Sequence, residues 1–521
     1  LYVSRNCVTK KGNFGRKSML QKIKRIFTQG AIYGVAQLAG KILNFLLIPF
    51  FTFIMQKSEM GVYTDLYTWV AFLIIVLTFG SETAFFKFAQ EIDDDDPDKE
   101  LKQDKVLSTA AVGVFAASIG FVALILFFLE PLARFMRYED SSEIIVMVLA
   151  ILTLDVWSAL PKAQLRRQGR AKFFVFVNLS SIVINISVNL LLLLFIPRAL
   201  DQAWIAAEVV PWYDPKYIVH YVFTANLCAS MGAFLLVLPE YLKIKWQFDF
   251  ALLRRIVAFG LPLMLAGLAG MFNERADIQM IKYLLPEEIA LEEVGMYGTV
   301  YKFAMLLIIL NQAFRYAAEP FVFRYFKNVD DNDPDSEEAK KGLAVTTDWF
   351  VVILSLGLVS TLSAKVVIEL LIAEQFEEGL AILPILLLAN VFYAIHTQLS
   401  FWYKLIEKTI YGLLITSCGA VMTLVLTLAL IPSLGYEGAA WATLGSYTTM
   451  MLLSYLMGQR YNPYPYNVKQ ALVVVGASFG FGMISWHFAS PWLWTQLLSL
   501  LGFAGFLWFY LGDQWRNLRN S

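Results

Sequence analysis

The sequence predicts an all-α integral membrane protein of about fourteen transmembrane helices. Three observations predict it: apolar residues are bunched into long runs, charges are scarce, and the cations favour alternate connections. Hydrophobic residues make up 58% of the chain and charged ones only 16%, where a soluble domain carries about 25% charged. Residues 119–129, 189–196 and 366–372 are cores of the apolar runs. At about 20 apolar residues per crossing, most of the 521 residues are committed to bilayer, and little is left for a soluble catalytic domain. Net charge is zero, so bulk charge points to no nucleic-acid or acidic partner.

Taken in order, residues 1–18 are polar, basic and featureless. They are expected to be disordered or an upstream artefact of gene calling, with Met19 opening the Met-Leu-Gln-Lys-Ile-Lys-Arg segment before the first span. The first apolar run is too long for a cleavable signal peptide and lacks a small-residue cleavage site. Hydropathy places six spans at 30–54, 63–89, 106–129, 143–161, 173–196 and 218–241. Six more follow at 256–284, 296–323, 343–372, 380–403, 411–431 and 437–457, and two at 468–488 and 491–511 close the chain. Lys22, Lys24, Arg25, Arg166, Arg167, Arg170, Lys172, Lys243, Lys245, Arg254, Arg255, Arg516 and Arg519 all fall on one side, and that asymmetry puts both termini in the cytoplasm. The opposite loops hold scattered cations such as Lys57, Arg134 and Arg137.

The two halves align at an offset of about 235 residues. Met60-Gly61-Val62-Tyr63 with Tyr67 matches Val294-Gly295-Met296-Tyr297 with Tyr301. The segment from Glu82 to Phe88 matches that from Glu319 to Tyr325, and Ile196-Pro197 matches Ile431-Pro432. Two acidic loops, from Asp93 to Asp98 and from Asp330 to Glu338, fall after the second and eighth spans and read as solvated connections, lacking the glycine of a calcium loop. The expected units are a six-helix bundle at 19–245, a second at 246–460, and two additional spans in 461–521. Six is even, so both repeats begin on the cytoplasmic side and are parallel, related by an axis along the membrane normal.

Ionisable residues at membrane depth are costly and mark cavities or partners. Gln37, Lys41 and Asn44 share one face of the first span. The seventh carries Asn273, Glu274, Arg275 and Asp277, and the eighth Lys302, Gln312, Arg315 and Glu319. Glu82 and Asp155 lie in the second and fourth. Spans one, two, seven and eight are equivalent pairs, which is where a cavity between repeats would form. Lys41 and Arg275 are the foremost candidates for cavity cations, and ion pairing of Arg275 with Glu274 or Asp277 is the competing reading. Glu82, Lys87 and Glu319 lie near span ends, where snorkelling explains them. Pro49, Pro262, Pro320 and Pro384 could bend their helices. Trp486, Trp492, Trp494, Trp508 and Trp515 read as an interfacial belt.

Cys228 and Cys418 fall inside apolar spans and are expected as buried packing residues, with Cys7 far away. His220, His396 and His487 show no metal-ligand spacing. There is no Walker P-loop, no Gly-x-Ser-x-Gly, no Cys-x-x-Cys and no His-Glu-x-x-His. Neither an enzyme nor a cofactor nor a metal site is expected.

The segment from Gly30 to Gln90, with its glycine-rich helix, Lys41, Pro49 and Met60-Gly61-Val62-Tyr63, resembles the opening of polysaccharide-export flippases. Asn273-Glu-Arg-Ala-Asp277, Val294-Gly-Met-Tyr297 and Ile431-Pro-Ser-Leu-Gly435-Tyr-Glu-Gly438 are similar to later parts of the same family. The likeness covers Met19 to about Arg460; its motifs are loose, and their order carries the specificity. The resemblance, to a family of the multidrug, oligosaccharidyl-lipid and polysaccharide exporter superfamily, implies two six-helix bundles around a V-shaped central cavity. It implies a flippase moving undecaprenyl-diphosphate-linked oligosaccharide across a bacterial inner membrane, with membrane lipids and the polysaccharide polymerase machinery as partners. The cavity cations for the diphosphate would be Lys41 and Arg275, then Lys302 and Arg315, with Gln37 and Asn44 beside them. Glu274, Asp277 and Asp155 depart from a purely cationic lumen, which leaves open how anionic the glycan is or suggests a coupling-ion site. The alternatives are a multidrug and toxin extrusion-type cation antiporter, a lipid II flippase, and an O-antigen polymerase or ligase, which the short external loops oppose.

Overall fold

The computed structural model describes residues 40–520 apart from 44, 94, 205, 329–336, 407, 409 and 489–493, and describes no side chains at 207, 316–328, 337–339 and 513–520. The extension expected at residues 1–18, together with Gln37 and Asn44, lies outside the described residues, as does most of the second acidic loop. Among the described residues the protein is all helix and turn, and twelve helices are long and apolar enough to cross a membrane. In chain order these are α2 (Lys57–Gln90), α3 (Lys99–Phe127), α4 (Glu139–Arg167), α5 (Ala171–Asp201), α6 (Pro215–Leu242) and α7 (Phe250–Leu284). After them come α8 (Glu287–Asn328), α9 (Lys340–Ser363), α10 (Glu374–Leu405), α11 (Ile410–Tyr461), α12 (Val468–His487) and α13 (Trp494–Gly512). A shorter apolar helix, α1 (Gly40–Ile54), precedes them.

Local chemistry sets where these helices start, break and end. A capping box opens α2: the Gln56 backbone N–H donates to Glu59 Oε2 at 2.8 Å. Inside α2 the backbone turns left-handed at Phe79 and Gly80 (φ 36° and 71°), which divides the helix before Ser81. Asp249 caps α7 by accepting the Leu252 N–H at 3.0 Å. In α5 a π turn over Leu191–Phe195 precedes Pro197, whose ring nitrogen has no proton for the regular ladder. Pro384 stands at the start of its helical segment and bends nothing, whereas Pro262 lies inside α7.

A straight helix of 52 residues would run about 78 Å, far more than the roughly 30 Å of hydrocarbon in a bilayer. Helix α11 solves this by folding back at Gly435, whose φ of 57° and ψ of −137° are not helical. Its two arms then pack antiparallel, with Thr423 Oγ1 donating to Ser446 Oγ at 2.8 Å and Gly419 against Met450.

The segments of α2 and α8 that match in the sequence cross each other closely. A Cβ on Gly61 would lie 1.9 Å from the Leu291 carbonyl oxygen, and a Cβ on Gly295 1.9 Å from that of Lys57. Each glycine thus touches the repeat counterpart of the residue that its own counterpart touches, which is the reciprocity of a two-fold contact. Thr64 against Gly298, another matched pair, lies at the same crossing. Two antiparallel seams flank it. Along α2 and α7 run Asp65 with Gln279 and Lys282, Ile75 with Gly267, and Phe79 with Gly260. Along α1 and α8 run Phe45 edge-on to Phe303 at 5.4 Å and Lys41 with Gln312.

The largest core cluster follows these contacts through α1, α2, α7, α8 and α10, with Tyr297, Tyr301, Phe303 and Leu387 fully enclosed. On the flanks, α4 holds α6 through Tyr241 and the Trp157 carbonyl (2.9 Å), and α12 and α13 pack on α9 through Val359, Val474 and Phe503. Large apolar side chains also cover the outside: Phe509 is 87% exposed and Phe127 80%. In a bilayer these face acyl chains, so the exposure carries no hydration cost. Cys228 and Cys418 correct an expectation. Both are exposed and unpaired, because each lies on the outward face of its helix instead of in the packed interior.

Candidate functional site

Helices α7 and α8 supply most of the polar residues at membrane depth. On α8, Lys302 extends its ammonium over the Tyr63 ring of α2, 4.2 Å from the centroid, with Arg275 of α7 as its charged neighbour. Among the described residues Lys302 has no carboxylate and no hydrogen-bond acceptor as partner. Arg275 lies 5.2 Å over the Tyr301 ring, and its Nη2 is 4.0 Å from Glu274 Oε1, the outer limit of an ion pair. Its positive charge is therefore only loosely offset. Lys41 is held differently: its Nζ donates to Gln312 Oε1 at 2.7 Å and ties α1 to α8. Arg315 follows one turn beyond Gln312 and is half-buried. Three of the expected cations, Arg275, Lys302 and Lys41, thus stand where α1, α2, α7 and α8 meet.

Aromatic rings build the surroundings, and sequence reasoning had not singled them out. Tyr63 and Tyr67 of α2 lie 4.7 Å apart, and Tyr67 stacks on Phe223 of α6 at 5.7 Å. On the α7 side Tyr301 is buried with no hydrogen-bond partner for its hydroxyl, and Tyr393 of α10 stands 4.8 Å from Tyr447 of α11. The repeated Tyr63/Tyr67 and Tyr297/Tyr301 spacing was the available signal. Such rings offer flat apolar faces with polar rims, suited to cations and to sugar rings alike.

The expected acids separate into two places. Asp277 is buried: Oδ2 accepts from the Tyr297 hydroxyl and from Thr443 Oγ1 (3.2 Å), and Oδ1 from the Ile278 N–H (2.8 Å). One turn earlier Asn273 donates to the Thr416 carbonyl at 2.8 Å and accepts from Thr423 at 3.4 Å. Asp277 is therefore a fully bonded carboxyl set between α7, α8 and the second arm of α11. Asp155 lies elsewhere, on α4 against Ser230 of α6. Glu82, expected to snorkel, instead pairs with Arg166 of α4.

One cluster was missed. Asp65 and Lys282, both wholly buried, form an ion pair at 2.5 Å across the α2–α7 seam. Asp65 also accepts from the Tyr138 hydroxyl at 2.6 Å and from Gln279 Nε2 at 2.7 Å. Its residues lie near span ends in the sequence, where charge is ordinary, so nothing in the pattern set them apart.

A family model described as "Polysaccharide biosynthesis protein" matches residues 27–326, more than half of the chain. No curated protein sequence matches the chain. Among solved structures, a lipid II flippase MurJ in an inward closed conformation superposes with a TM-score of 0.71 at 14% identity, over 93% of this chain and 99% of that one. A multidrug resistance transporter of the MATE family in an inward-facing conformation gives 0.59 at 14% identity, over 81% and 94%. The outward-facing form of such a transporter gives 0.55 at 13% identity, over 83% and 95%. The fold is that of these flippases and exporters.

Proposed function

Because the chain belongs to the polysaccharide biosynthesis protein family, we propose that it is a flippase for a lipid-linked oligosaccharide, working by alternating access. The cargo is an undecaprenyl-diphosphate-linked repeat unit, carried from the cytoplasmic to the outer leaflet of a bacterial inner membrane. The observation that supports this reading is Lys302, which has no carboxylate or hydrogen-bond acceptor among the described residues, beside the loosely paired Arg275. A diphosphate loses hydration on entering a low-dielectric cavity, and fixed cations already there offset that loss. Lys41 and Arg315 extend the positive strip along α1 and α8, and Gln37 and Asn44 belong to the same face of the first span. The tyrosines present stacking surfaces to the sugars, while the lipid tail stays in the bilayer.

In this reading the chain crosses the membrane fourteen times, the arms of α11 counting as two spans and α1 as the end of the first. Two parallel six-helix units, residues 19–245 and 246–460, rock about the α2–α8 crossing, with residues 461–521 packed outside. Both termini are cytoplasmic, so the ends of α2 and α8 at Lys57 and Glu287 face outward. Energy comes from an ion gradient, the membrane potential or consumption of the product, and Asp277, Glu274 and Asp155 are the coupling candidates. A MATE-type antiporter is a second reading, favoured by those three carboxyls; a lipid II flippase differs in cargo only.

Deleting the gene should leave lipid-linked repeat units at the inner leaflet, measured by their accessibility to impermeant probes in oriented vesicles. Complementation with Lys302→Arg should restore export, whereas Lys302→Gln should slow it roughly 10- to 100-fold, the loss of one charge-assisted contact. Unchanged export in the deletion strain, or full rescue by Lys302→Gln, would overturn the reading.

A further inference from the structure

We infer that Asp65 and Lys282 form a latch that closes the outer end of the α2–α7 seam and parts into water when the cavity opens outward. The inference rests on the orientation and the transport cycle proposed above. All of Asp65's side-chain partners belong to other elements: Lys282 and Gln279 to α7, and Tyr138 to the connection between α3 and α4. The neighbouring Arg137 stands in the left-handed region (φ 59°), a costly conformation for a side chain of its size. From there its Nη1 donates to the Lys282 carbonyl at 2.9 Å, and its Nε lies 4.0 Å from Glu287 of α8. One buried pair thus engages α2, α7, the α3–α4 connection and, through Arg137, α8. The first repeat cannot move away from the second at this end without breaking it.

The repeat supplies a control. In the opposite seam, between α8 and α1, the position equivalent to Asp65 is Thr299, and the stretch of α1 equivalent to Lys282, from Ile48 to Thr52, carries no charge; Thr299, Ile48 and Thr52 are all buried. Packing at this depth therefore does not need ions. A buried ion pair adds little over apolar packing of the same shape, because dehydration cancels most of the attraction. In the opened state the balance differs: separated ions are hydrated, whereas a separated apolar pair exposes surface that water disfavours. The pair therefore narrows the gap between closed and open seam, and it does so on one seam only. Removing one partner strands the other as a buried, unpaired charge, which favours opening.

The test uses the full-length protein with its cysteines replaced and Thr68→Cys as reporter. Thr68 is buried, on α2 just inward of Asp65. A membrane-impermeant maleimide is applied to intact cells and, separately, to inside-out vesicles, and labelling is read per folded protein. From the outside, Asp65→Asn should speed labelling roughly tenfold or more. The apolar double variant Asp65→Leu/Lys282→Met should slow it below the unaltered chain. These opposite directions are what a merely structural pair would not give. Labelling equal to that of the unaltered chain in the double variant overturns the latch, also where Asp65→Asn fails to accumulate. The same two shifts seen from the vesicle side alone keep the latch and overturn the orientation. No substrate enters the assay, so failure of the cargo assignment leaves its result intact.

Discussion

Lys302 and Lys41 differ in what holds them: an aromatic face for the first, against the repulsion of neighbouring Arg275, and an amide oxygen for the second. Under the proposed function the cation available to an anionic cargo is thus Lys302 as much as Arg275, and Lys41 serves partly to join α1 to α8. Among the acids, Asp277 has three donors and no direct cation, so its charge is stabilised by hydroxyls and one backbone amide. If Asp277 couples transport to an ion, Asp277→Asn should keep downhill flipping in vesicles and abolish its stimulation by an imposed gradient. Flipping that still responds to the gradient would remove Asp277 from the coupling role. Most of these residues could be picked from the sequence because charge inside an apolar span is conspicuous. Asp65 and Lys282 could not, since they lie 217 positions apart and only the fold makes them neighbours.

At the scale of the helix, the crossing of α2 and α8 depends on two missing side chains. Gly61→Ala and Gly295→Ala each place a methyl group into a backbone carbonyl that no rotamer change can move. Each should destabilise the protein by about 1–3 kcal/mol or more, seen as a lowered melting temperature in detergent. Gly270→Ala, which meets open space on α7, should be neutral or slightly stabilising. At the start of α7 the Lys105 ammonium, with the Leu252 amide, holds the Asp249 carboxyl below its usual range. A depressed acid stabilises above its unfolded pKa, and the contribution fades as pH falls through the folded value. The stability difference between the unaltered protein and Asp249→Asn should therefore shrink below about pH 4, and a difference constant from pH 6 to pH 3 would contradict this.

For the molecule as a whole, hydropathy placed the spans because the bilayer demands about 20 apolar residues for each crossing, whatever the neighbours are. Gly61 and Gly295, matched in the sequence at an offset of about 235 residues, do the same job at one crossing. The lipid-facing position of Cys228 and Cys418 was not legible, since an apolar span looks alike on its packed and its lipid face. By itself, then, the sequence determined the all-helical membrane class and which charged residues fall within apolar runs, because each follows from solvation along one stretch of chain. The tertiary structure decided which cations are paired, that Asp155 meets Ser230 while Asp277 meets Tyr297 and Thr443, and that Asp65 meets Lys282, because pairing is a matter of distance between helices and distance is set only when they pack.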